Sequence, residues 1–422
     1  MKQLAKKFYK EWKQLSKTSF AKKVYVLFSG GVISYFLSFV NIILFTRIYS
    51  IEDVGIYNVI LSYVAIFAYI TLLSYNISIQ TASEKELPYL LLGSLCILLL
   101  TSSAICFGLW LFNYQFAVVI GLILLFSGLG ILIDYLNIRE QKLFVLSIRK
   151  CAYPFLQTIF FISCFAEIVE PTFENLITFT VAAYLLSNII FLRDLHYHLT
   201  SNITNVRKNT LDVLKSKFKA SSIISISDFL NCVAANLPTI LLEKFYGPAA
   251  SAFFSIASKI CVIPVNIISD AIAKTYQGSV AKELRDHNKQ KFSYLNFSKV
   301  HNFLFITSIF GFVCYILLLP LAIEIVLGSK WAEAAIYGQI LSPTFCFLYL
   351  MSPMIPIFYL LKKVNDIFIF QLFSLLVTLF SFLFVGSIGN IYPTLLVFSF
   401  LTSIRYIWLY KRLTLHVKSN SY

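Results

Sequence analysis

Charge is what this sequence has least of. Only 13% of its 422 residues are Asp, Glu, Lys or Arg, against 58% hydrophobic, too few charges to coat a soluble domain of this length. Cysteine pairing is missing too. The eight cysteines stand singly, with no CxxC spacing and no disulfide framework, so they read as small apolar side chains. There is no Walker segment, which excludes direct drive by ATP. No Ser-His-Asp set and no paired carboxylates converge on one pocket, which leaves hydrolytic chemistry without a carrier. His196, His198, His287, His301 and His416 fall in or near loops, and His196-Tyr-His198 lacks the cysteine or carboxylate company of a metal site. No cofactor is expected.

What is present is apolar length. Runs of roughly twenty apolar residues, separated by short polar loops, define an all-α polytopic membrane protein. Hydropathy places about twelve spans, at 24–46, 54–79, 88–112, 116–137, 151–166 and 175–192, then 221–242, 250–274, 302–323, 334–361, 367–387 and 393–410. The net charge of +15 would suggest nucleic acid, but the basic residues sit almost wholly in one alternate set of loops. Arg139, Lys142, Arg149 and Lys150 fall in one of these, Arg193 to Lys219 in another, and Lys282 to Lys299 in a third. The other set carries Glu52, Asp53, Glu167, Glu170, Glu174, Glu324 and Glu333 against Arg47, Lys244 and Lys330. This is the positive-inside pattern. It expects both termini in the cytoplasm, a partner in membrane lipid and no nucleic acid. Cysteines placed at Ser201 or Asn288 in a cysteine-free background should then resist a membrane-impermeant thiol reagent in intact cells; ready labelling at both overturns the orientation.

The expected organisation is a basic arm over 1–23, a six-helix bundle over 24–192, a connecting amphipathic helix over 193–220, a second six-helix bundle over 221–410 and a tail over 411–422. The halves read as repeats. Arg47-Ile-Tyr49-Ser50, followed by Gly55 and Tyr57, overlays Lys244-Phe-Tyr246-Gly247, followed by Ala252 and Phe254, at one constant offset. The same offset lays Asn58, Ser62 and Tyr69 on Ser255, Lys259 and Asn266. Tyr135 to Arg139 gives a weaker echo of Tyr359 to Lys363. Such repeats imply two pseudo-symmetric bundles, with substrate bound between them.

The stretch Leu242 to Leu284 holds the most chemistry. Ser255, Lys259, Asn266, Asp270 and Lys274 share one helical stripe inside an apolar run. A Lys or Asp near the bilayer centre costs about 2.5–3.5 kcal/mol on insertion scales, so it faces a cavity or a partner. Asp228 in the seventh span is a second intramembrane carboxylate and a candidate partner for Lys259. Gly31, Ser34, Ser38 and Asn41 form a milder stripe in the first span, and small and hydroxyl residues like the first three more often serve helix packing. Pro353-Met-Ile-Pro356 predicts a bend in the tenth span.

Three segments carry a resemblance. Phe45-Thr-Arg47-Ile-Tyr49-Ser50-Ile-Glu52-Asp53-Val-Gly55-Ile-Tyr57 is the first, and Tyr246-Gly247-Pro248 with the small, aromatic and basic residues up to Pro264 is the second. The third is Leu327-Gly328-Ser-Lys330-Trp331-Ala-Glu333-Ala334. In this order they resemble the bacterial polysaccharide-transporter family, the O-antigen and capsule flippases of the superfamily that includes the MATE exporters. Val54 and Ala252 depart from the pattern, where the family usually has Phe and Gly. The resemblance implies a MATE-like fold in the bacterial inner membrane. It implies a flippase that moves an undecaprenyl-pyrophosphate-linked oligosaccharide from the cytoplasmic to the periplasmic leaflet by alternating access, beside an O-antigen polymerase and a chain-length regulator. The family's basic cavity makes Lys259, Arg47, Lys244, Lys274, Asn41 and Asn266 the substrate-binding candidates. A proton or sodium ion would reset the carrier, with Asp228 and Asp270 as the available carboxylates.

Two rivals share some of these features. A MATE-type multidrug or cation antiporter would have the same fold but prefer acidic residues in its cavity. A polysaccharide polymerase would display a large outer loop, and every outer loop here is short.

Overall fold

Backbone amides find no water in hydrocarbon, so every long apolar run must close its own hydrogen bonds. The computed structural model meets that demand with helices. It describes residues 19–80, 82–189, 191–200, 206–286, 294–361, 363–386 and 389–419, and among these there is no strand. Inside several helices, notably over 19–29, 219–225, 227–228, 270–271 and 274–286, the description is of backbone alone.

The elements are α1 (Ser19–Ile48), α2 (Ile51–Thr71), α3 (Tyr75–Ile79), α4 (Leu87–Leu111), α5 (Ala117–Arg139), α6 (Leu143–Phe165), α7 (Phe173–Ile189) and α8 (Leu192–Thr200). There follow α9 (Val206–Tyr246), α10 (Pro248–Asp286), α11 (Tyr294–Val326), α12 (Ala332–Met351), α13 (Ile355–Leu360), α14 (Val364–Phe380) and α15 (Ile391–Ser419). Among the described residues ten helices are long and apolar enough to span a bilayer, or eleven if α7 and α8, bent by 56°, count as one span. Of the twelve spans expected, the seventh, 221–242, lies inside α9. No Gly or Pro interrupts Val206 to Leu237, so the lysine-bearing part of the expected connector runs into that span as one helix. At Pro353 the helix changes register: α12 gives way to a 3-10 turn at Ser352–Met354 before α13 resumes, because proline brings no N–H to the ladder.

The chain divides into two compact units, Met1–Leu44 with Phe67–Ser225, and Phe45–Ile66 with Ile226–Tyr422. The segment 45–66, expected in the first half, thus counts with the second. The contacts that tie it there are specific. Trp331 Nε1 donates to the Thr46 carbonyl at 3.0 Å and Lys330 Nζ to that of Tyr49 at 3.0 Å. Gly55 approaches the backbone of α10 so closely that an added Cβ would lie 2.0 Å from the Pro248 carbonyl oxygen. Gly55→Ala should therefore force a backbone shift costing about 1–3 kcal/mol. The expected readout is a lower melting temperature of the purified protein and reduced membrane abundance; unchanged values would mean that the two helices part freely.

In the first unit, α1 is fastened to α6 by its polar stripe. Pro154 leaves the carbonyl of Lys150 without its helical donor, and Ser34 Oγ donates to it at 3.1 Å. Asn41 Nδ2 donates to the Pro154 carbonyl at 2.9 Å while its Oδ1 accepts from Thr158 Oγ1 at 2.8 Å. The helix α6 begins at Leu143, earlier than the expected 151. Arg149 is thus a helix residue rather than a loop charge, and its guanidinium grips the Asp134 carboxylate on α5.

A further likeness between the units shows only in the fold. In the first, Glu140 after α5 accepts from Lys142 at 2.7 Å and meets His198 of α8, while Lys142 also reaches Asp194 at 3.2 Å. Burial pushes the Glu140 carboxyl up, but the hydrogen bonds from Lys142 and His198 outweigh it and hold it below the usual carboxylate range. In the second, Asp366 at the start of α14 accepts from Arg412 at 2.8 Å and meets His416 of α15. Each unit therefore pairs an acid with a histidine from a helix later in the chain.

Candidate functional site

The second unit encloses a cavity of about 700 Å³. Its walls come from 58–65 of α2, 231–239 of α9, 254–266 of α10, and parts of α12, α14 and α15. The polar stripes legible in the sequence face it: Asn58 and Ser62 from one helix, Ser255, Lys259 and Asn266 from the other. A 3.6-residue period carries these side chains to one face, while Ile256 and Ala257 between them pack into the protein.

Two cations reach the cavity. Lys259 Nζ donates to Asn58 Oδ1 at 2.5 Å, and Asn58 is itself held by an Nδ2 bond to the Val54 carbonyl at 2.8 Å. Arg405 of α15 is 7% exposed and stacks its guanidinium over Phe370 at 4.3 Å and Tyr406 at 4.8 Å. Among the described residues no carboxylate lines the cavity, and none makes an ion pair with Lys259 or Arg405. Among the described residues the ammonium is held by a neutral amide and the guanidinium by aromatic rings, with no carboxylate beside either. Such a site attracts an anion from outside.

The other candidates are placed elsewhere or outside the described residues. Arg47 donates to the carbonyls of Val326 at 3.0 Å and Ile325 at 2.9 Å, capping the end of α11, and does not line the cavity. Lys244 is exposed in the last turn of α9 and does not line it either. Asn41 belongs to the first unit, where both ends of its amide serve the α1–α6 contact. Asn266 does line the cavity. The side chains of Lys274, Asp228 and Asp270 lie outside the described residues. Arg405 is the residue that sequence reasoning missed. Among the described residues no cluster of His, Cys, Asp and Glu could hold a metal ion.

Residues 91–336, more than half of the chain, match the model of a family described as polysaccharide biosynthesis protein. The chain belongs to that family. Its fold is similar to that of solved transporters. A structure titled "Lipid II flippase MurJ, inward closed conformation" aligns with a TM-score of 0.68 and 14% identity over 95% of this chain and 90% of that one. An inward-facing multidrug resistance MATE family transporter of the MOP superfamily aligns with a TM-score of 0.55 and 11% identity over 93% and 99%. A MATE structure in the bent conformation gives 0.51 and 11% over 97% and 99%. At these identities the likeness is one of fold. Among curated protein sequences none matches. This member of the polysaccharide biosynthesis family is thus a multi-pass helical protein with the fold of flippases and MATE transporters.

Proposed function

We propose that this protein moves an oligosaccharide carried on undecaprenyl pyrophosphate from the cytoplasmic to the periplasmic leaflet of the bacterial inner membrane, with both termini in the cytoplasm. The observation that carries the reading is the pair Lys259 and Arg405 in a cavity with no carboxylate on its described wall. The pyrophosphate supplies a counter-charge to both cations, while Asn58, Asn231, Asn236 and Asn266 offer amides to sugar hydroxyls. Direction follows from the field. A group with two negative charges gains about 4–5 kcal/mol per 100 mV on leaving a negative-inside cell. In this reading the protein carries its substrate unchanged, and Asp228 and Asp270 serve a proton or sodium ion that resets the carrier.

The test is expression of the full chain in its host deleted for the corresponding gene. Surface polysaccharide should return, and lipid-linked oligosaccharide should stop accumulating on the inner leaflet. A host that regains resistance to cationic drugs and no polysaccharide would make the protein a multidrug exporter instead.

A further inference from the structure

Three turns of the second unit, all assigned to the outer face by the charge pattern, meet around a cleft separate from the basic cavity. Each is built on a glycine in the left-handed region: Gly247 (φ 87°) between α9 and α10, Gly328 (φ 100°) between α11 and α12, and Gly389 (φ 85°) before α15. An L side chain is strained there, which is why glycine stands at each turn. The cleft has a volume of about 630 Å³; Tyr246, Phe253 and Tyr337 line it together with Glu333 and Asn390.

Its aromatic side chains are held before any ligand arrives. Tyr246 Oη lies 2.7 Å from Thr394 Oγ1 and 3.2 Å from each of the carbonyls of Gly386 and Asn390, within reach of its single hydrogen. The Phe253 ring stands edge-on to Trp331 at 5.9 Å and to Tyr337 at 5.8 Å. The polar side chains are each half engaged. One oxygen of Glu333 accepts from Tyr392 Oη, and the other has no partner among the described residues. Asn390 Oδ1 accepts from the Tyr392 backbone N–H at 3.1 Å, which fixes the amide and leaves its Nδ2 hydrogens for a ligand.

The chemistry narrows the occupant. Among the described residues no Lys or Arg lines the cleft and a carboxylate does, so a phosphate or an acidic sugar is disfavoured. A carboxylate that accepts from one hydroxyl, an amide that donates to the next and fixed aromatic rings for an apolar C–H face suit a neutral sugar ring. We infer that this cleft is a carbohydrate site, taking a neutral sugar of the oligosaccharide once the head group has reached the outer side. The inference rests on the proposed function for the identity of its ligand. The basic cavity would then hold the charged end of the substrate, and the cleft would read its uncharged part.

The experiment uses the full chain in lipid nanodiscs and, as probe, lipid-free fragments of the host's own surface polysaccharide cut to one to three repeat units. Saturation-transfer NMR should show contact with wild type. In Glu333→Ala/Asn390→Ala, binding should weaken about tenfold or more, the usual effect of losing hydrogen bonds to a charged group. Asn390→Ala alone, at an exposed position, should give a smaller loss and guards against misfolding of the double variant. No transfer with wild type, or equal transfer with both variants, overturns the inference. Restoration of surface polysaccharide by wild type is scored separately. Failure there defeats the flippase reading, whereas failure of the fragments to bind defeats only the cleft.

Discussion

Lys259→Ala is expected to insert at normal abundance and to leave less than about a tenth of wild-type export, because a charge-assisted hydrogen bond removed from a partner costs about 1.5–3 kcal/mol. Lys259→Arg should keep much of the activity, since the charge stays, although the guanidinium fork is not a strict substitute for an ammonium. Arg405→Leu should fall in the same class, with the Phe370 and Tyr406 rings still packed. The measurement is surface polysaccharide in the deleted host, with membrane abundance of each variant beside it. The competing account makes Lys259 a structural counter-ion for Asp228 or Asp270. On that account Lys259→Ala lowers abundance, and removing the carboxylate as well restores it. Full export by a normally abundant Lys259→Ala protein would remove the residue from the mechanism.

The same two cations show what a sequence exposes and what it hides. Lys259 is legible because it interrupts a long apolar run on a stripe of Ser and Asn, and hydrocarbon forbids an idle ammonium there. Arg405 interrupts an apolar run just as plainly, but it lies near Lys411 and Arg412 in sequence, where long basic side chains commonly reach the interface. Only packing shows it buried on two aromatic rings. The repeat offset pairs Asn58 and Ser62 with Ser255 and Lys259, and all four line one cavity. It gives no warning that Lys259 would bond Asn58 itself. Equivalence under a repeat and contact in space are different relations. Arg47 fails as a cavity residue for a local reason: the open carbonyls at the end of α11 are nearer, and a helix C-terminus is a good acceptor for a guanidinium. Although ten or eleven helices among the described residues meet the length and apolarity of a span where twelve are expected, the helical class and the rough limits of most spans follow from length and hydropathy. The continuity of α9 does not, because a lysine-rich surface helix and an apolar span differ in composition while nothing between them breaks the backbone.

Breaking the Asp134–Arg149 pair should give the largest loss of stability in the first unit. The guanidinium grips both carboxylate oxygens, its remaining nitrogen reaches Asn188 Oδ1 at 3.3 Å, and the side chains are only 16% and 14% exposed. Gly130 leaves the space: a Cβ there would lie 2.6 Å from Arg149 Nη1 and 2.8 Å from Asn188 Oδ1. Removing one member of a buried pair strands the other charge and costs about 3–5 kcal/mol, whereas replacing both with apolar side chains of similar volume is often neutral. Arg149→Met should therefore deplete the protein from the membrane and lower its melting temperature. Asp134→Leu combined with Arg149→Met should recover most of both. This contrast separates the pair from Lys259, whose loss is expected to spare abundance and abolish export. Normal abundance of Arg149→Met would show that water reaches Asp134 and that the pair adds little. A double variant no better than the single one would place the cost in lost packing rather than stranded charge.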